Sequence, residues 1–375
     1  MKDLIVNGII GGVGSVIVFL PNILILYLFI SLMEDSGYMA RAAFIMDKVM
    51  HKIGLHGKSF IPLIMGFGCN VPAIMSARTI ESRSSRLITI LINPFMSCSA
   101  RLPVYILLAG VFFPKSSGTV LMLLYLTGIL VAVVTARLLR KFLFKADETP
   151  FVMELPPYRI PTLNATLQHM WEKCTQYLKK IGSVILFASI IIWFLGYYPR
   201  PAATTDKSEA VTATGAVTTY TGSYLEQIGR FCEPIIEPLG LNWKSGVALI
   251  SGAAAKEIIV STLGVLYSDN QSVGTKNTCP GETENNSDLS ETGNNASLNE
   301  EEVLLKTQLL KSGDFTPASA ISFMIFALLY FPCVATLAAI ATEAGSWKWA
   351  LFSFAYSCTT AWIISFVVYN ICKLF

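Results

Sequence analysis

The residues of this sequence best suited to chemistry are three cysteines in apolar segments that proline or glycine interrupts. They are Cys69, Cys98 and Cys333, in the segments Gly66–Pro72, Asn93–Pro103 and Tyr330–Thr336. Thiolate sulfur beside amide or hydroxyl oxygen suits a first-row transition metal, whereas alkali ions prefer oxygen alone. We therefore predict a metal pathway along these cysteines. The alternative is that each is a small apolar filler, the usual role of a buried cysteine.

Other side chains with donor atoms accompany the cysteines. The weaker candidates for the pathway are Asn70, Asn93, Met65, Met96 and Glu257. Polar groups at membrane depth are costly and by default indicate a pathway, whereas methionine more commonly packs. Arg101 and a predicted ion pair between Lys256 and Glu257 have two interpretations: they line the pathway, or they join helices through hydrogen bonds.

The sequence contains no pattern for catalysis or nucleotide binding. His51, His56 and His169 lie outside the apolar segments, and no His-Glu-x-x-His motif is present. The phosphate-binding sequence Gly-x-x-x-x-Gly-Lys-Ser/Thr does not occur either. Since no nucleophile–base pair is evident, we predict neither an enzyme nor a nucleotide site in this chain.

The composition defines the class of protein that must position these residues. Of 375 residues, 53% are hydrophobic and 14% are charged, and the mean hydropathy is +0.56. A soluble protein carries about 25% charged residues, so most of this surface cannot face water. The net charge of +3 is too small to argue for a nucleic-acid partner. The composition therefore indicates a protein embedded in a lipid bilayer.

Apolar segments of suitable length predict an all-α, polytopic helical membrane protein with about seven to eight hydrophobic segments, since a span needs about 20 residues. They are Leu4–Met33, Ser59–Ala77, Leu87–Pro114, Ser116–Ala136, Ile181–Pro199, Ser245–Ser268, Phe315–Thr342 and Trp349–Cys372. Proline and glycine predict that some of these are broken or re-entrant, which requires that they line protein or a wet cavity.

Basic residues give an expected orientation. Lys and Arg cluster at Arg41–Lys58, Arg78–Arg86 and Arg137–Lys145, which the positive-inside rule places in the cytoplasm. The segment Ser59–Ala77 then begins and ends on one face, so we expect it to enter the membrane and return. Glu34 and Asp35, at the cytoplasmic end of the first span, either gather cations or terminate the helix.

The chain divides into two transmembrane halves, residues 1–145 and 181–375. Each half has a charge-bearing segment and a Pro–Cys interruption, which suggests an internal repeat of the kind found in transporters. Between them, residues 146–180 are predicted to form a cytoplasmic connector with an amphipathic helix. Residues 269–313 are rich in Asn, Ser, Glu and Thr, which predicts a disordered polar loop.

Six sequence blocks resemble the membrane region of the FeoB ferrous iron transporters. They are Met33–Arg41, Gly66–Met75, Ile92–Tyr105, Ala255–Glu257, Tyr330–Thr336 and Gly345–Trp349. The resemblance runs from about Leu4 to the C-terminus. It implies that Fe2+ is the transported substrate and that two Gate motifs lie at about 59–113 and 318–345. It also implies that Cys69 and Cys98 of the first Gate, and Cys333 of the second, line the iron path.

The same resemblance implies a setting and partners. That family also carries an N-terminal GTP-binding domain, a helical linker and a first span, which this sequence does not contain. We therefore expect either the transport half of a split protein or a fragment, served by a separate or missing GTPase domain. Small Feo accessory proteins, a homo-oligomer and a bacterial inner-membrane location are further expectations.

Two other functions stay open on the sequence alone. Gate-like segments also occur in nucleoside-recognition membrane proteins, so a nucleoside or organic-solute transporter is the alternative. Phe67, Phe95 and Phe331 lie beside the interruptions and offer stacking faces for such a solute. A membrane protein that assists assembly or regulation without transporting anything is the third hypothesis.

Overall fold

The computed structural model describes residues 11–143, 161–197, 224–268, 309 and 315–374. Every regular element in these residues is a helix, which confirms the all-α prediction. The predictions for residues 146–160 and, apart from Leu309, for the polar loop 269–313 lie outside the described residues.

The described helices are numbered here in chain order. They are α1 Gly11–Asp35, α2 Tyr38–Ile53, α3 Phe60–Gly68, α4 Asn70–Ser76, α5 Arg83–Ile92, α6 Leu102–Phe112, α7 Ser117–Phe142, α8 Leu163–Tyr197, α9 Tyr224–Ile236, α10 Trp243–Ser251, α11 Ile258–Ser268, α12 Pro317–Leu329, α13 Val334–Glu343 and α14 Trp347–Leu374. Short 3-10 turns occur at Gly57–Ser59, Ala77–Thr79, Asn93–Phe95, Ser99–Arg101 and Glu237–Leu239.

Among the described residues, four helical stretches are long and apolar enough to cross a membrane. They are Arg83–Phe112, Ser117–Phe142, Pro317–Glu343 and Trp347–Leu374. A fifth is counted if Ile23–Asp35 and Tyr38–Ile53, which meet at a bend of 77°, form one span. The other predicted segments appear as shorter apolar helices, such as Leu186–Gly196 and Ile258–Tyr267, or as broken pairs. The chain is therefore a helical membrane protein with broken segments, as predicted.

Besides the bend between α1 and α2, interruptions divide the pairs α3–α4, α5–α6, α10–α11 and α12–α13, and we call these four breaks 1 to 4. Break 1 is Cys69, break 2 is Asn93–Arg101, break 3 is Gly252–Glu257, and break 4 is Tyr330–Cys333. In each half a short broken pair, α3–α4 or α10–α11, precedes a longer broken pair, α5–α6 or α12–α13. This shared order matches what an internal repeat would give, and the repeat itself stays a prediction.

The halves are held together by packing between helices that are far apart in sequence. Helix α1 packs along α8 and α4 against α13, whereas α12 packs along α14 within the second half. The largest core cluster includes Phe95, Tyr105, Leu328 and Tyr330, all almost completely buried. Large apolar side chains on the outer faces of α7 and α14 remain exposed, as expected where helices meet lipid rather than water.

Helix α8 joins the predicted amphipathic helix to the following span in 35 continuous residues. Thr166 donates a hydrogen bond to Asp35 at 3.2 Å, and His169 pairs with the same carboxylate at 3.1 Å. Lys173 of α8 forms an ion pair with Glu34. Both carboxylates at the end of α1 are therefore engaged by α8, an arrangement that neither interpretation from sequence anticipated.

Candidate functional site

Break 1 leaves Cys69 in an extended conformation between α3 and α4, with φ −150° and ψ 131°. Pro72 explains the interruption, because its ring would clash with the carbonyl of residue 68 in a continuous helix. In the first turn of α4 its missing N–H has no cost, since that turn lacks acceptors anyway. The Gly68 carbonyl accepts a hydrogen bond from Ser99 Oγ at 3.0 Å, which ties break 1 to break 2.

Break 2 contains two 3-10 turns and a short irregular stretch that holds Cys98. Arg101, only 1% exposed, donates hydrogen bonds to the carbonyls of Pro94 and Met96, each at 3.3 Å. These carbonyls have no helical partner, because the helix stops here. The guanidinium therefore replaces the missing backbone donors of the interrupted helix.

Breaks 3 and 4 lie directly against each other. The Val334 N–H donates to the Ala253 carbonyl at 3.0 Å, and Lys256 Nζ donates to the Phe331 carbonyl at 3.0 Å. Pro332 ends the upstream helix for the same steric reason as Pro72. At break 4 the Cys333 thiol lies 3.1 Å from Thr336 Oγ1.

The predicted ion pair between Lys256 and Glu257 is wrong for these two described residues. Lys256 is 3% exposed and donates to a backbone carbonyl, with its Nζ 3.2 Å from the centroid of the Tyr330 ring. No ion pair joins it to Glu257. The physical reason is that neighbouring residues project in different directions, so side chains at i and i+1 do not face each other.

The three cysteines named from sequence are brought to one region. Cys69 lies within electrostatic range of Cys98, Cys333 and Glu257. Cys69 and Cys333 also pack against the same apolar cluster, which includes Val71 and Ala335. Each of the three cysteines is partly exposed. Side chains from both halves thus converge where the helices are interrupted.

Convergence does not produce a single coordination sphere. Among the described residues, no group of three or more His, Cys, Asp or Glu side chains is close enough to hold one metal ion. The donors are instead distributed along the breaks. An ion at this site would meet them in turn.

The amide side chains at breaks 1 and 2 are buried without hydrogen-bond partners. Asn93 is fully buried and neither its amide oxygen nor its amide nitrogen has a partner within the described residues. Asn70, 4% exposed, has an unpartnered amide oxygen. Leaving such a group unpaired costs about 1–3 kcal/mol, so these amides are available to a bound species.

The two methionine candidates belong to other apolar clusters than Cys69 and Cys333. Met96 belongs to the large core cluster beside Phe95, and Met65 packs with Ile30 and Ala73 in a separate cluster. Neither thioether shares the cluster that holds Cys69 and Cys333. Their part in metal binding stays a prediction.

Two tyrosines that sequence reasoning did not select also reach this region. Tyr27 of α1 and Tyr177 of α8 are buried, their rings 6.3 Å apart, and both lie within electrostatic range of Cys69. The Tyr27 hydroxyl has no hydrogen-bond partner among the described residues. A hydroxyl in the middle of an apolar span was a usable signal for Tyr27, but the same rule does not single out Tyr177.

Comparison with known proteins gives two family matches. The Gate model, described as nucleoside recognition, matches residues 16–112 and 178–347. A second model, described as ferrous iron transport protein B C terminus, matches residues 121–173. The Gate stretches contain all four breaks. No solved structure matches the chain.

Curated relatives align along the whole chain. An Fe(2+) transport protein A/Fe(2+) transporter FeoB fusion protein of Porphyromonas gingivalis is 53% identical over 401 residues, covering 100% of this chain and 45% of that protein. The Fe(2+) transporter FeoB of Staphylococcus aureus is 43% identical, covering 100% of this chain and 50% of its own length. That of Methanocaldococcus jannaschii is 41% identical, covering 98% and 49%.

The chain spans about half the length of the curated relatives it matches. The matched part is the helical membrane region with its breaks, and the Gate model alone covers more than half of the chain. The chain therefore belongs to the Gate family and is a membrane region of the FeoB type.

Proposed function

We propose that this chain is the permease portion of a ferrous iron transport system in a bacterial inner membrane. The observation that carries the proposal is the convergence of Cys69, Cys98 and Cys333 at helix breaks contributed by both halves. Backbone interruptions at membrane depth are tolerated where they line protein or a wet cavity. The names of the FeoB relatives support Fe2+ as the substrate.

Iron would pass by stepwise exchange of water for protein ligands. Sulfur from the cysteines, amide oxygen from Asn70 and Asn93, and the carbonyls freed at the breaks offer successive positions. The cysteine sulfur among these donors favours ferrous ion over Na+ or Mg2+, which prefer oxygen alone. Because the donors are separate, each position holds the ion weakly enough to release it, as conduction requires.

Movement of the broken helices would open the route. The short turns at the breaks are the positions where backbone angles can change without disrupting a whole helix. A GTPase module on another polypeptide, or in another part of the full-length protein, would supply the driving energy. The fusion named in Porphyromonas gingivalis supports a small Fe(2+) transport protein A as a further partner.

Uptake of radiolabelled Fe2+ tests this proposal. We would measure it in uptake-deficient cells that express the chain with its GTPase, comparing Cys69→Ser, Cys98→Ser and Cys333→Ser with a Cys372→Ser control near the end of α14. Each pathway variant should lower the uptake rate at least several-fold, and the control should keep it. Wild-type uptake in all three pathway variants would remove the sulfur route.

A nucleoside or organic-solute transporter is the second candidate, favoured by the description of the Gate family. The phenylalanine rings that could stack on such a solute already contact other aromatic rings in the structure. Phe67 stacks with Tyr125, Phe95 contacts Tyr356 edge-on, and Phe331 packs between Tyr330 and Phe354. Inhibition of Fe2+ uptake by nucleosides would nevertheless favour this candidate.

Reconstitution distinguishes a permease from a protein that acts in assembly or regulation without transporting anything. Purified chain and its GTPase in liposomes should give Fe2+ flux if the chain is a permease. The absence of flux for Fe2+ and for nucleosides alike would favour the non-transporting role.

A further inference from the structure

Lys256 is a buried lysine whose amino group is held by groups that suit a monovalent ion. Its Nζ donates to the Phe331 carbonyl at 3.0 Å and forms no ion pair with a carboxylate among the described residues. The same atom lies 3.2 Å from the centroid of the Tyr330 ring and 5.6 Å from that of Phe331. A carbonyl oxygen and the face of an aromatic ring are typical ligands of ammonium and alkali ions.

The surroundings of Lys256 make its position costly. Arg101, from the other half, lies within electrostatic range and carries the same sign of charge. The thiols of Cys98, Cys333 and Cys358 also lie within that range, and the Tyr330 ring lies against the amino group. Arg101 is already engaged with the carbonyls of break 2. Within the described part of the chain Lys256 is paired with no acid, and its burial needs another explanation.

We propose that break 4 is a monovalent-cation site and that the Lys256 ammonium is its resident occupant. The carbonyl of Phe331 lies just beyond the C-terminal end of α12, where the helix dipole is negative. An empty site of this kind would attract Na+ or K+, which greatly outnumber ferrous ion. A tethered ammonium fills it without allowing an ion to pass.

The consequence of this inference is selectivity for a divalent ion over alkali ions, and that consequence rests on the proposed function. A divalent ion that reaches Cys333 meets the ammonium and must displace it from the Phe331 carbonyl. Lys256 lies within break 3, where residues 252–257 form turns rather than helix. The backbone that carries the ammonium is held by single-turn hydrogen bonds, such as the one from Ile259 N–H to the Lys256 carbonyl at 3.3 Å, rather than by a continuous helix. An alkali ion, bound more weakly than iron by thiols, cannot displace it.

Rubidium flux tests the site without any need for iron transport. The 375-residue chain is reconstituted into liposomes as wild type, Lys256→Met, Lys256→Arg and Lys115→Met, the last being an exposed loop residue. Methionine preserves much of the length of lysine and removes the charge. We expect Lys256→Met to take up Rb+ at least ten-fold faster than wild type. The arginine variant and the loop control should stay at the rate of wild type.

A second variant keeps the test decisive if Lys256→Met does not fold. Tyr330→Leu retains the ammonium and removes the ring that holds it, so Rb+ uptake should rise several-fold. Folding is monitored by elution volume and by the thermal unfolding midpoint in detergent. If the variants that fold leak no more Rb+ than wild type, the inference is overturned.

The two proposals fail in different ways. A wild-type protein that transports Fe2+, with folded Lys256→Met and Tyr330→Leu variants that exclude Rb+, overturns the cation site alone. A wild-type protein that moves no Fe2+, with a Lys256→Met variant that leaks Rb+, overturns the proposed function and supports the cation site.

Discussion

Asn93 and Arg101 are both buried polar residues of break 2, but they differ in whether their side chains have hydrogen-bond partners among the described residues. Arg101 supplies donors to carbonyls that the interrupted helix leaves free, whereas the buried amide of Asn93 has no partner among the residues that the structure describes. The first residue stabilises the break. The second leaves it with unused hydrogen-bonding capacity, at a cost of about 1–3 kcal/mol. That cost is understandable if a passing ion or its water completes the site.

Replacing Arg101 with methionine should destabilise the protein. The carbonyls of Pro94 and Met96 would lose their donors while remaining buried, which costs about 1–3 kcal/mol. The thermal unfolding midpoint in detergent should therefore fall by several degrees. Arg83→Met, at an exposed position in the first turn of α5, is the matched control and should leave the midpoint within error. An unchanged midpoint in both variants would show that other groups hold break 2.

Gly66→Ala should damage the site directly. A Cβ at residue 66 would lie 2.3 Å from Asn93 Oδ1 and 3.0 Å from Met96 Cβ, so the asparagine must move. Overpacking of this kind costs about 1–3 kcal/mol, and Fe2+ uptake should fall sharply. Gly118→Ala, whose Cβ meets nothing within 4 Å, should leave uptake unchanged. Equal uptake in the two variants would contradict a role for the position of Asn93.

Residue types were more predictable than their partners. Proline, cysteine and charge in apolar segments pointed to Cys69, Cys98, Cys333, Arg101 and Lys256, because such residues are unusual at membrane depth. The partner of Lys256 was not predictable. Sequence offers its neighbour Glu257, whereas the structure supplies the Phe331 carbonyl, 75 residues away.

At the scale of elements, proline predicted three of the four breaks. Pro72, Pro94 and Pro332 each prevent a continuous helix. Break 3 carries no proline, and its Ala253-Ala-Ala255 run favours helix by intrinsic propensity. Tertiary contacts are the competing influence, since the Ala253 carbonyl accepts from Val334 instead of from its own helix. A pattern read along the chain contains no information about that contact.

An ion pair connects the two broken elements at one end. Arg78, beyond α4, pairs with Glu343, the last residue of α13. The arginine side chain is 42% exposed and the glutamate 8%, so solvent screens part of the attraction. A double-mutant cycle with Arg78→Gln and Glu343→Gln should give a coupling free energy of about 0.5–1 kcal/mol.

The coupling is measured from unfolding midpoints of the wild type, both single variants and the double variant. The Glu226–Arg230 pair, within one helix, is the control and should be similar or weaker. If the Arg78–Glu343 ion pair also restrains opening of the route, Arg78→Gln and Glu343→Gln should each raise the basal Fe2+ leak. Zero coupling would mean that packing alone aligns α4 with α13.

At the scale of the whole molecule, the ion pair gives an orientation that basic clusters alone left open for the last segments. Glu343 lies on the same side as Arg78, which belongs to an expected cytoplasmic cluster. Helix α14 begins four residues later and is long enough to cross the bilayer. We therefore expect its start in the cytoplasm and its end outside.

Single cysteines introduced into a chain whose native cysteines are serine test this orientation. A membrane-impermeant thiol reagent added to intact cells should label Ser116→Cys and Lys373→Cys. Lys141→Cys and Lys348→Cys should react only after the membrane is permeabilised. If Lys348→Cys is labelled in intact cells and Lys373→Cys only after permeabilisation, α14 runs in the opposite direction and the orientation is contradicted.

The most direct test of a shared route through the breaks is the water accessibility of its thiols. A small, charged, water-soluble thiol reagent is applied to the reconstituted protein with and without Fe2+, and modification is quantified by mass spectrometry. Cys69, Cys98 and Cys333 should all react, and Fe2+ should slow all three, while buried Cys174 stays unmodified. Failure of any of the three to react before denaturation, or reaction that Fe2+ leaves unchanged, would contradict a common ion pathway.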